Sequence, residues 1–339
     1  MEKNDDIGNT IRSLSGKTIA IVYTFENDTP KGLEHFYTWK SDIIIKWMMA
    51  IQNLSCMPLI LDVRTFVDKA MNKTLPFIDY VINLNTGTYD LSVMALIPSV
   101  CSAINIPCIP CNAMTITAGE NKKISNLIAK SVGLNVPKDI TTQNIKGIFR
   151  PINLGNSLGV KKEKPKLYEE GIYQEFIEGY EMTTPVVYNP IKKEMDILPS
   201  VIFYPKNDDA YWYYNSNDKS NQKGYDFRLA ELDENIKQKY IELVQNLNIT
   251  TFCRIDARIK SPIISKKNKY YFKMEDTFFI EINVMPTIRS NNSFSFSFES
   301  IEFTSSFYKF KKQLTNNNNE CDINTFLLAC SMLSFQKNN

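Results

Sequence analysis

Histidine is nearly absent from this chain, since residue 35 is the single one among 339. One imidazole cannot form a multi-histidine zinc centre or the two-histidine helix of zinc proteases. Any chemistry must therefore use carboxylates, lysine and arginine side chains, backbone amides, or a metal ion held by oxygen. His35 itself precedes a predicted helix, and we interpret it as a surface or hydrogen-bonded residue.

The chain also lacks an excess of charge of either sign, with 39 lysines and arginines against 37 aspartates and glutamates. Such a balance creates no overall field that would collect nucleic acid or an anionic membrane surface. We therefore expect no nucleic-acid partner, and any anionic ligand must be bound by local charges.

A disulfide framework is not expected either, because the chain has 7 cysteines, an odd number, scattered along it. This usage indicates reduced intracellular thiols. Cys108 and Cys111 have the spacing of a redox motif, but they follow an apolar run and have no second cysteine pair. We interpret them as small buried hydrophobes. The polar N-terminal segment has no apolar core, so we expect no secretion signal and a cytoplasmic protein.

Residues 91–119 contain no charged side chain, a length that could span a bilayer. They also contain Pro98, Pro107 and Pro110 together with several serines, threonines and asparagines. This composition favours a helix followed by a short strand and a loop, and we expect no membrane partner.

The first 110 residues alternate between short β-branched apolar runs and segments of helical periodicity. The predicted strands are 17–23, 58–63, 78–83 and 106–109, and the predicted helices are 41–54, 65–71 and 91–103. Strands that alternate with helices indicate parallel βαβ units and an open sheet.

The rest of the chain is richer in strands. The pattern predicts strands at 145–151, 171–176, 182–188, 250–259 and 270–284, and helices at 121–133, 231–247 and 324–333. The polar segment 207–223 is predicted to be a long surface loop. Phe294, Phe296 and Phe298 alternate with serines, which predicts a core-facing strand.

Glycines, a cation and small polar side chains occur together in the segment Arg-Pro-Ile-Asn-Leu-Gly-Asn-Ser-Leu-Gly-Val that begins at Arg150. Gly155 and Gly159 flank Asn156 and Ser157. Glycines let backbone amides approach a phosphate closely, and small polar side chains add donors. The segment is thus either a phosphate-binding loop or a hairpin turn without a ligand.

Two acidic segments, Arg254-Ile-Asp256 and Glu281-Ile-Asn283, lie on predicted strands. Alternate residues of a strand share a face, so pairing of the strands would bring together three oxygen donors, from Asp256, Glu281 and Asn283. Such a set suits Mg²⁺. A carboxylate inside such an apolar strand is costly unless it is paired or bound to a metal, so the alternative is a structural ion pair with Arg254.

A further segment, 173–181, is a predicted strand that leads into Gly179 and then Glu181. This arrangement is typical of a linker strand that binds an adenine edge and a ribose.

In this order and spacing, these segments resemble the ATP-grasp superfamily, and more narrowly its D-alanine–D-alanine ligase branch, over about residues 17–295. The ligase motif Lys-Pro-x-x-x-Gly-Ser-Ser-x-Gly-Val is similar to 150–160, and Glu-x-x-Ile/Leu-x-Gly-x-Glu is similar to 174–181. Arg-x-Asp and Glu-x-Asn-x-x-Pro-Gly are similar to 254–256 and 281–287. The Asp-Lys that precedes a helix in those ligases is similar to Asn121-Lys122, and their Glu-x-x-x-Ser is similar to 34–38.

The resemblance implies a ligase that uses ATP and Mg²⁺ to join a carboxylate and an amine through an acyl phosphate, with amino-acid-like substrates. It implies ATP contacts from Lys122, Arg150, Gly155, Gly159, Glu175, Phe176, Ile177 and Glu181, and Mg²⁺ binding by Asp256, Glu281 and Asn283. Catalytic roles fall on Arg254, Glu34, Asn156 and Ser157, where Arg254 stabilises an oxyanion and Glu34 receives the first amino group. Substrate contacts fall on Thr287, Asn292, Ser293 and Lys219.

This sequence departs from the ligase pattern mainly in its acceptor half. Arg150 replaces a lysine, Gln174 a glutamate, Asn156 a serine and Thr287 a glycine, and the Tyr-x-x-Lys-Tyr lid motif is missing. Two alternatives stay open: a true D-alanine–D-alanine ligase of peptidoglycan synthesis, and a nucleotide-binding interaction protein without turnover.

The implied architecture is α/β, with α+β character in its ATP-grasp part. It comprises an N-terminal parallel-sheet domain for substrate binding (17–112), a central lid domain (113–185) and a C-terminal catalytic domain (186–339). The resemblance also implies a homodimer.

Overall fold

The computed structural model describes residues 8–24, 41–86, 91–140, 146–155, 157–166, 169–206, 225–260, 263–264, 270–288, 292–315 and 321–336. Glu34, His35, Asn156 and the predicted loop 207–223 with Lys219 lie outside these ranges.

A parallel sheet forms the N-terminal part, as the alternating pattern predicts. Its strands, in the order β2-β1-β3-β4, are β1 (Thr18–Tyr23), β2 (Met57–Asp62), β3 (Tyr80–Leu84) and β4 (Cys108–Ile109). The helices α1 (Ser41–Asn53), α2 (Val63–Met71) and α3 (Leu91–Ala103) cover its faces. Ile19 and Ile21 of β1 join a core with α1, whereas Ala20 and Val22 pack against α2 and α3.

The uncharged segment continues into a helix that the sequence did not predict. The segment after β4 was expected to be a loop, but α4 (Ala113–Glu120) begins there, because the Asn112 side chain accepts a hydrogen bond from the Thr115 N–H. α5 (Lys122–Ser131) follows at once and is capped by Asn121. Within the described ranges, every helix is too short or too polar to span a bilayer.

Two antiparallel strands, β5 (Gly147–Pro151) and β6 (Gly171–Glu175), enclose the candidate phosphate loop. They form a separate small sheet. Phe149 of β5 also exchanges backbone hydrogen bonds with Lys161, at 2.7 and 3.1 Å, so the chain folds back on this strand after the loop.

A larger sheet forms the C-terminal part, in the order β12-β13-β10-β9-β7-β11-β14, with β8 also paired to β7. Its strands are β7 (Tyr180–Asn189), β8 (Glu194–Ile197), β9 (Ser200–Pro205), β10 (Tyr225–Glu231), β11 (Phe252–Ile259), β12 (Ile263–Ile264), β13 (Tyr270–Tyr271) and β14 (Thr277–Asn283). The predicted strand 270–284 is interrupted by a 3₁₀ turn at Met274–Asp276.

Successive residues of strand β11 lie on opposite faces of this sheet. Its odd-numbered residues, 253 to 259, enter a core with helix α6 (Glu234–Asn246), α4 and α5. The alternate residues Arg254, Asp256 and Arg258 lie on the other face. The polar candidate residues of this strand therefore share one side of the sheet.

The C-terminal helices are α7 (Ser293–Glu299), α8 (Ser306–Leu314) and α9 (Ile323–Gln336). The predicted strand at Phe294, Phe296 and Phe298 is wrong, because Asn292 caps a helix there and the first and last rings, one turn apart, are buried together. α9 packs against α1 in a core shared with the parallel sheet. The predicted domain limits stay a prediction. Strand β7 crosses the predicted boundary between the lid domain and the catalytic domain, at 185/186.

All seven cysteines are buried and free of disulfides. The interpretation of Cys108 and Cys111 as small buried hydrophobes is therefore confirmed.

Candidate active site

The polar face of β11 and β14 brings together the side chains that the sequence singled out. Asp256 lies opposite Glu281 and Arg254 opposite Asn283 in the antiparallel register. The two strands thus pair, as is required for Asp256, Glu281 and Asn283 to come together.

Arg254 and Asp256 form a bidentate ion pair. The Arg254 Nε and Nη2 atoms donate to Asp256 oxygens at 2.9 and 2.7 Å, and Thr183 of β7 donates to Asp256 Oδ1 at 2.8 Å. Burial acts to lower the pKa of Arg254, but the carboxylates of Asp256, Glu281 and Glu120 together outweigh it and raise the pKa. The guanidinium therefore stays charged at the centre of the face.

Lys122 reaches this face from the first turn of α5. Its Nζ atom lies 3.7 Å from Glu281 Oε2 and donates to the Leu154 carbonyl oxygen at 2.8 Å. The lysine thus connects the acidic strand β14 with the candidate phosphate loop, while only 6% of its surface is exposed.

Arg150 is buried at the entrance of the same loop. The register between β11 and β14 shifts after Asp256, which makes Ile280 an extra residue whose carbonyl oxygen accepts from Arg150 Nη1 at 2.7 Å. Arg150 Nη2 donates to Gln174 Oε1 at 2.8 Å. Both acceptors are neutral, and burial lowers the pKa of the guanidinium. A buried cation held by neutral groups favours a nearby anion.

The linker between β6 and β7 is fixed by Arg258. This guanidinium donates to the carbonyl oxygens of Ile177 and Gly179 at 2.6 and 2.8 Å and to Glu181 Oε1 at 3.1 Å. It also lies over the Phe176 ring, 4.7 Å from the centroid. The residues predicted to bind adenine and ribose are therefore joined by one side chain.

A further carboxylate, Glu120, enters the site from the end of α4. Its Oε1 atom accepts from the Val284 N–H at 3.0 Å. Burial raises the pKa of Glu120 to about 7. The positive charge of Lys122 lowers this pKa, and the negative charge of Glu281 raises it. A Cβ added at Gly119 would lie 2.6 Å from Val284 Cγ1, so α4 is in close contact with the end of β14.

The segment after β14 carries the predicted acceptor-side residues. The Asn292 side chain accepts from the Ser295 N–H at 3.0 Å and donates to the Thr287 carbonyl oxygen at 2.9 Å. Both of its polar groups thus act within the protein, as the cap of α7 and as a tie to Thr287. Ser293 is the first residue of that helix.

In the candidate phosphate loop, Ser157 and Gly159 have φ angles of 60° and 68°. A Cβ at Gly159 would meet Pro151 Cγ at 2.8 Å, whereas a Cβ at Gly155 would meet nothing within 4 Å. The backbone around Gly155 is therefore open on the side where a Cβ would lie.

The oxygen donors fit a hard divalent cation. Asp256 and Glu281 face each other across two strands, and Asn283 follows on the same face, with its Oδ1 atom 3.1 Å from the Met285 N–H. In the described part of the chain, no group of three or more His, Cys, Asp and Glu side chains could hold a metal ion. The set thus consists of two carboxylates and one amide, which suits Mg²⁺ with phosphate oxygens as further ligands.

Three residues of the site were not identified from the sequence: Glu120, Thr183 and Arg258. Arg258 continues the period of two set by Arg254 and Asp256, and Glu120 directly precedes Asn121-Lys122, so both carried a signal. Thr183 carried none, because its contact depends on the pairing of β7 with β11.

The arrangement of a parallel-sheet unit, a small two-stranded sheet and a large mixed sheet is shared with solved structures of D-alanine ligases, which confirms the predicted fold class. No family model matches the chain. A D-alanine–D-alanine ligase from Wolbachia pipientis subsp. Culex pipiens (strain wPip) is 25% identical over 178 residues, which cover 46% of this chain and 55% of that protein. The chain thus matches about half the length of this curated relative.

Solved structures of similar fold cover most of the chain. A D-alanine–D-alanine ligase from Bacillus anthracis has a TM-score of 0.61 at 13% identity, with 96% of this chain and 100% of that one covered. The VanG D-Ala:D-Ser ligase from Enterococcus faecalis has a TM-score of 0.56 at 13% identity, with 88% and 99% covered. A Bacillus anthracis D-alanine–D-alanine ligase complexed with ATP has a TM-score of 0.58 at 13% identity, with 88% and 96% covered. The resemblance drawn from the motifs is confirmed.

Proposed function

We propose that this protein is an ATP- and Mg²⁺-dependent carboxylate–amine ligase that forms an amide bond between amino-acid-like substrates. The observation that carries the proposal is that Asp256 and Glu281 lie opposite each other on one face of the sheet. Lys122 lies 3.7 Å from Glu281, and Arg254 forms an ion pair with Asp256. Cations and oxygen donors meet there in the combination that phosphoryl transfer requires. The ligases of similar sequence and fold support the proposal.

ATP would lie between the small sheet and the polar face of the large sheet. Lys122 and Arg150 would neutralise its phosphates, and the loop with Gly155, Ser157 and Gly159 would cover them. The N–H groups of Glu175 and Phe176 already donate to the carbonyl oxygens of Lys138 and Lys146 at 2.9 Å each. An adenine edge would therefore have to be met by the N–H of Ile177, and the ribose by Glu181.

The reaction would take place in two steps. A substrate carboxylate oxygen attacks the γ-phosphorus of ATP, and the bond to the β-phosphate oxygen breaks to release ADP. The acceptor amine then attacks the acyl carbon and loses a proton, and phosphate leaves. Mg²⁺ held by Asp256, Glu281 and Asn283 would supply charge neutralisation at the phosphates. Arg254 and the Thr287 N–H would stabilise the oxyanion, while Glu34, Asn156, Asn292, Ser293 and Lys219 stay predictions for the substrates.

The decisive experiment is phosphate release from ATP with and without Mg²⁺, screened over D- and L-amino acids singly and in pairs. We expect Mg²⁺-dependent release with at least one pair, and its loss in D256N and E281Q. E242Q is the matched control, because Glu242 lies on α6, which packs on the opposite face of the large sheet.

The outcomes separate the alternatives. Release with D-alanine alone identifies a D-alanine–D-alanine ligase, and release with another pair identifies a different ligase and its substrates. Tight ATP binding without release over the whole panel contradicts the proposal and favours the interaction protein.

We also propose that the protein acts in the cytoplasm as a homodimer. The resemblance to the ligases supports this proposal, as do exposed apolar side chains on α1 and the edge strand β2: Ile45, Met49, Met57 and Ile60. Sedimentation velocity at micromolar concentration should give twice the mass of the chain, and a strictly monomeric protein contradicts it.

A further inference from the structure

Arg258 has no part in the phosphate, metal or acyl chemistry proposed above, yet it is a buried cation on the same face. Only 5% of its surface is exposed. A buried guanidinium is costly unless every side of it finds a partner. Its contacts therefore indicate what it stabilises.

Those contacts lie on the linker predicted to bind the nucleoside. The planar fork of Arg258 donates to two linker carbonyls, of Ile177 and Gly179, and to the Glu181 carboxylate. The flat face of the guanidinium covers the Phe176 ring. Only a planar, multidentate cation meets acceptors in such an array, and a lysine cannot.

The backbone reinforces this contact. Gly179 has a φ of 132°, and a Cβ there would overlap the Ile259 carbonyl oxygen. The linker is thus in direct contact with the end of β11, next to Arg258. Glu181, opposite Arg258 in the register of β7 and β11, keeps 28% of its side chain exposed and can still accept from a ligand.

We propose that Arg258 is a positioning residue for the nucleoside half of ATP, which holds the Glu181 carboxylate where ribose hydroxyls can donate to it. The inference rests on the proposed function, since it requires ATP in this cleft. It is confined to the nucleoside, because Lys122 and Arg150 are held by other partners, the carbonyls of Leu154 and Ile280. Loss of Arg258 should therefore weaken ribose recognition and spare the triphosphate.

The test is calorimetric binding of three ligands with Mg²⁺: ATP, 2′,3′-dideoxy-ATP and inorganic tripolyphosphate. For the wild type we expect ATP to bind about tenfold or more tighter than dideoxy-ATP, as a charge-assisted hydrogen bond supports. In R258M this ratio should fall to within about twofold, while the affinity for tripolyphosphate stays unchanged. E181Q should lower the ratio to a similar extent, and R258M/E181Q should lower it no further.

R64M is the matched control, because Arg64 is an exposed arginine of α2 in the parallel-sheet unit. If R258M does not fold, R258K takes its place, since lysine keeps the charge beside Glu181 but cannot donate to all three acceptors. The ratio should then lie between those of wild type and E181Q.

A folded R258M or R258K that keeps the wild-type ratio overturns the inference, and so does a wild type that does not discriminate against dideoxy-ATP. A wild type that binds no ATP overturns the proposed function instead. A wild type that binds ATP with ribose discrimination but releases no phosphate leaves the inference supported and removes only the ligase assignment.

Discussion

Three carboxylates of the site are each paired with a different cation. Asp256 is paired with Arg254, Glu181 with Arg258 and Glu281 with Lys122. Such pairing is what allows charged side chains to occupy a half-buried face. Arg150 differs, because the groups it donates to are the neutral Ile280 carbonyl and Gln174. Its charge is the one in the site best placed to attract a further anion.

Glu120 should make the stability of the protein depend on pH. Its pKa is raised from 4.5 to about 7 in the folded state, so the folded protein binds the proton more tightly than the unfolded chain. The corresponding stability is fully present below pH 4.5 and is lost as pH rises through 7. We expect E120Q to gain on the order of 1–3 kcal/mol relative to wild type between pH 5 and pH 8. Urea unfolding of both proteins at the two pH values measures this difference.

A second variant shows whether that effect is specific to Glu120. E242Q changes a carboxylate on α6 in the same way, and it should follow the wild type at both pH values. Equal pH dependence in wild type and E120Q would contradict the assignment of a raised pKa to Glu120.

At the scale of elements, the site depends on turns that fix how strands and helices meet. Gly179 adopts a φ of 132° where the linker enters β7, against the Ile259 carbonyl. We expect G179A to lose on the order of 3 kcal/mol or more of unfolding free energy, because both the strained φ and the contact oppose a Cβ. G155A should change stability by less than about 1 kcal/mol, since nothing lies within 4 Å of the added Cβ. Urea unfolding midpoints of the two variants measure this difference. Equal losses of unfolding free energy in G179A and G155A would contradict this explanation.

The N-terminus of α7 is linked to the predicted oxyanion segment through Asn292. We expect N292A to lose about 1 kcal/mol of stability from the missing cap. The KM for the acceptor should also rise, because the donor to the Thr287 carbonyl is lost. S305A is the control, since Ser305 caps α8 in the same way through the Tyr308 N–H. A similar loss of stability without a change in KM is expected there, and a matching KM change in S305A would remove the role given to Asn292.

At the scale of the whole molecule, the candidate site joins units that are distant in sequence. Glu120 and Lys122 come from successive helices, Arg150 from the small sheet, and Asp256 and Glu281 from the large sheet. A ligand that contacts all of these residues would link the units to one another, even if the structure of each unit stayed the same.

Binding of ATP with Mg²⁺ should therefore stabilise the entire protein. At a 100-fold excess of ligand over its Kd, the gain is about 2.7 kcal/mol, which thermal unfolding detects as a rise in Tm. The rise should require Mg²⁺ and should shrink in D256N and E281Q, whereas E242Q behaves as wild type. A rise in Tm of the same size without Mg²⁺, or in D256N and E281Q, would contradict the proposal that these residues bind Mg²⁺.

Local patterns determined much of this protein from the sequence alone. The parallel βαβ unit could be predicted because β1 and β3 are short, continuous apolar runs and the intervening helices have helical apolar periodicity. The candidate site was accessible for a similar reason, since Arg254 and Asp256 follow the period of a strand and the resemblance supplied roles for them. The alternation of Phe294, Phe296 and Phe298 was misleading, because the cap at Asn292, two residues before the first ring, selects a helix.

Only the tertiary structure decided which residues meet across elements. The contact of Thr183 with Asp256 requires the register of β7 on β11, and the acceptor for Arg150 is a carbonyl at a shift in the register of β14. Glu120 and Arg258 owe their roles to burial and to partners far away in sequence, such as Val284 and Glu181. A linear pattern records the period of each element, but the pairing between elements depends on the packing energy of the whole chain.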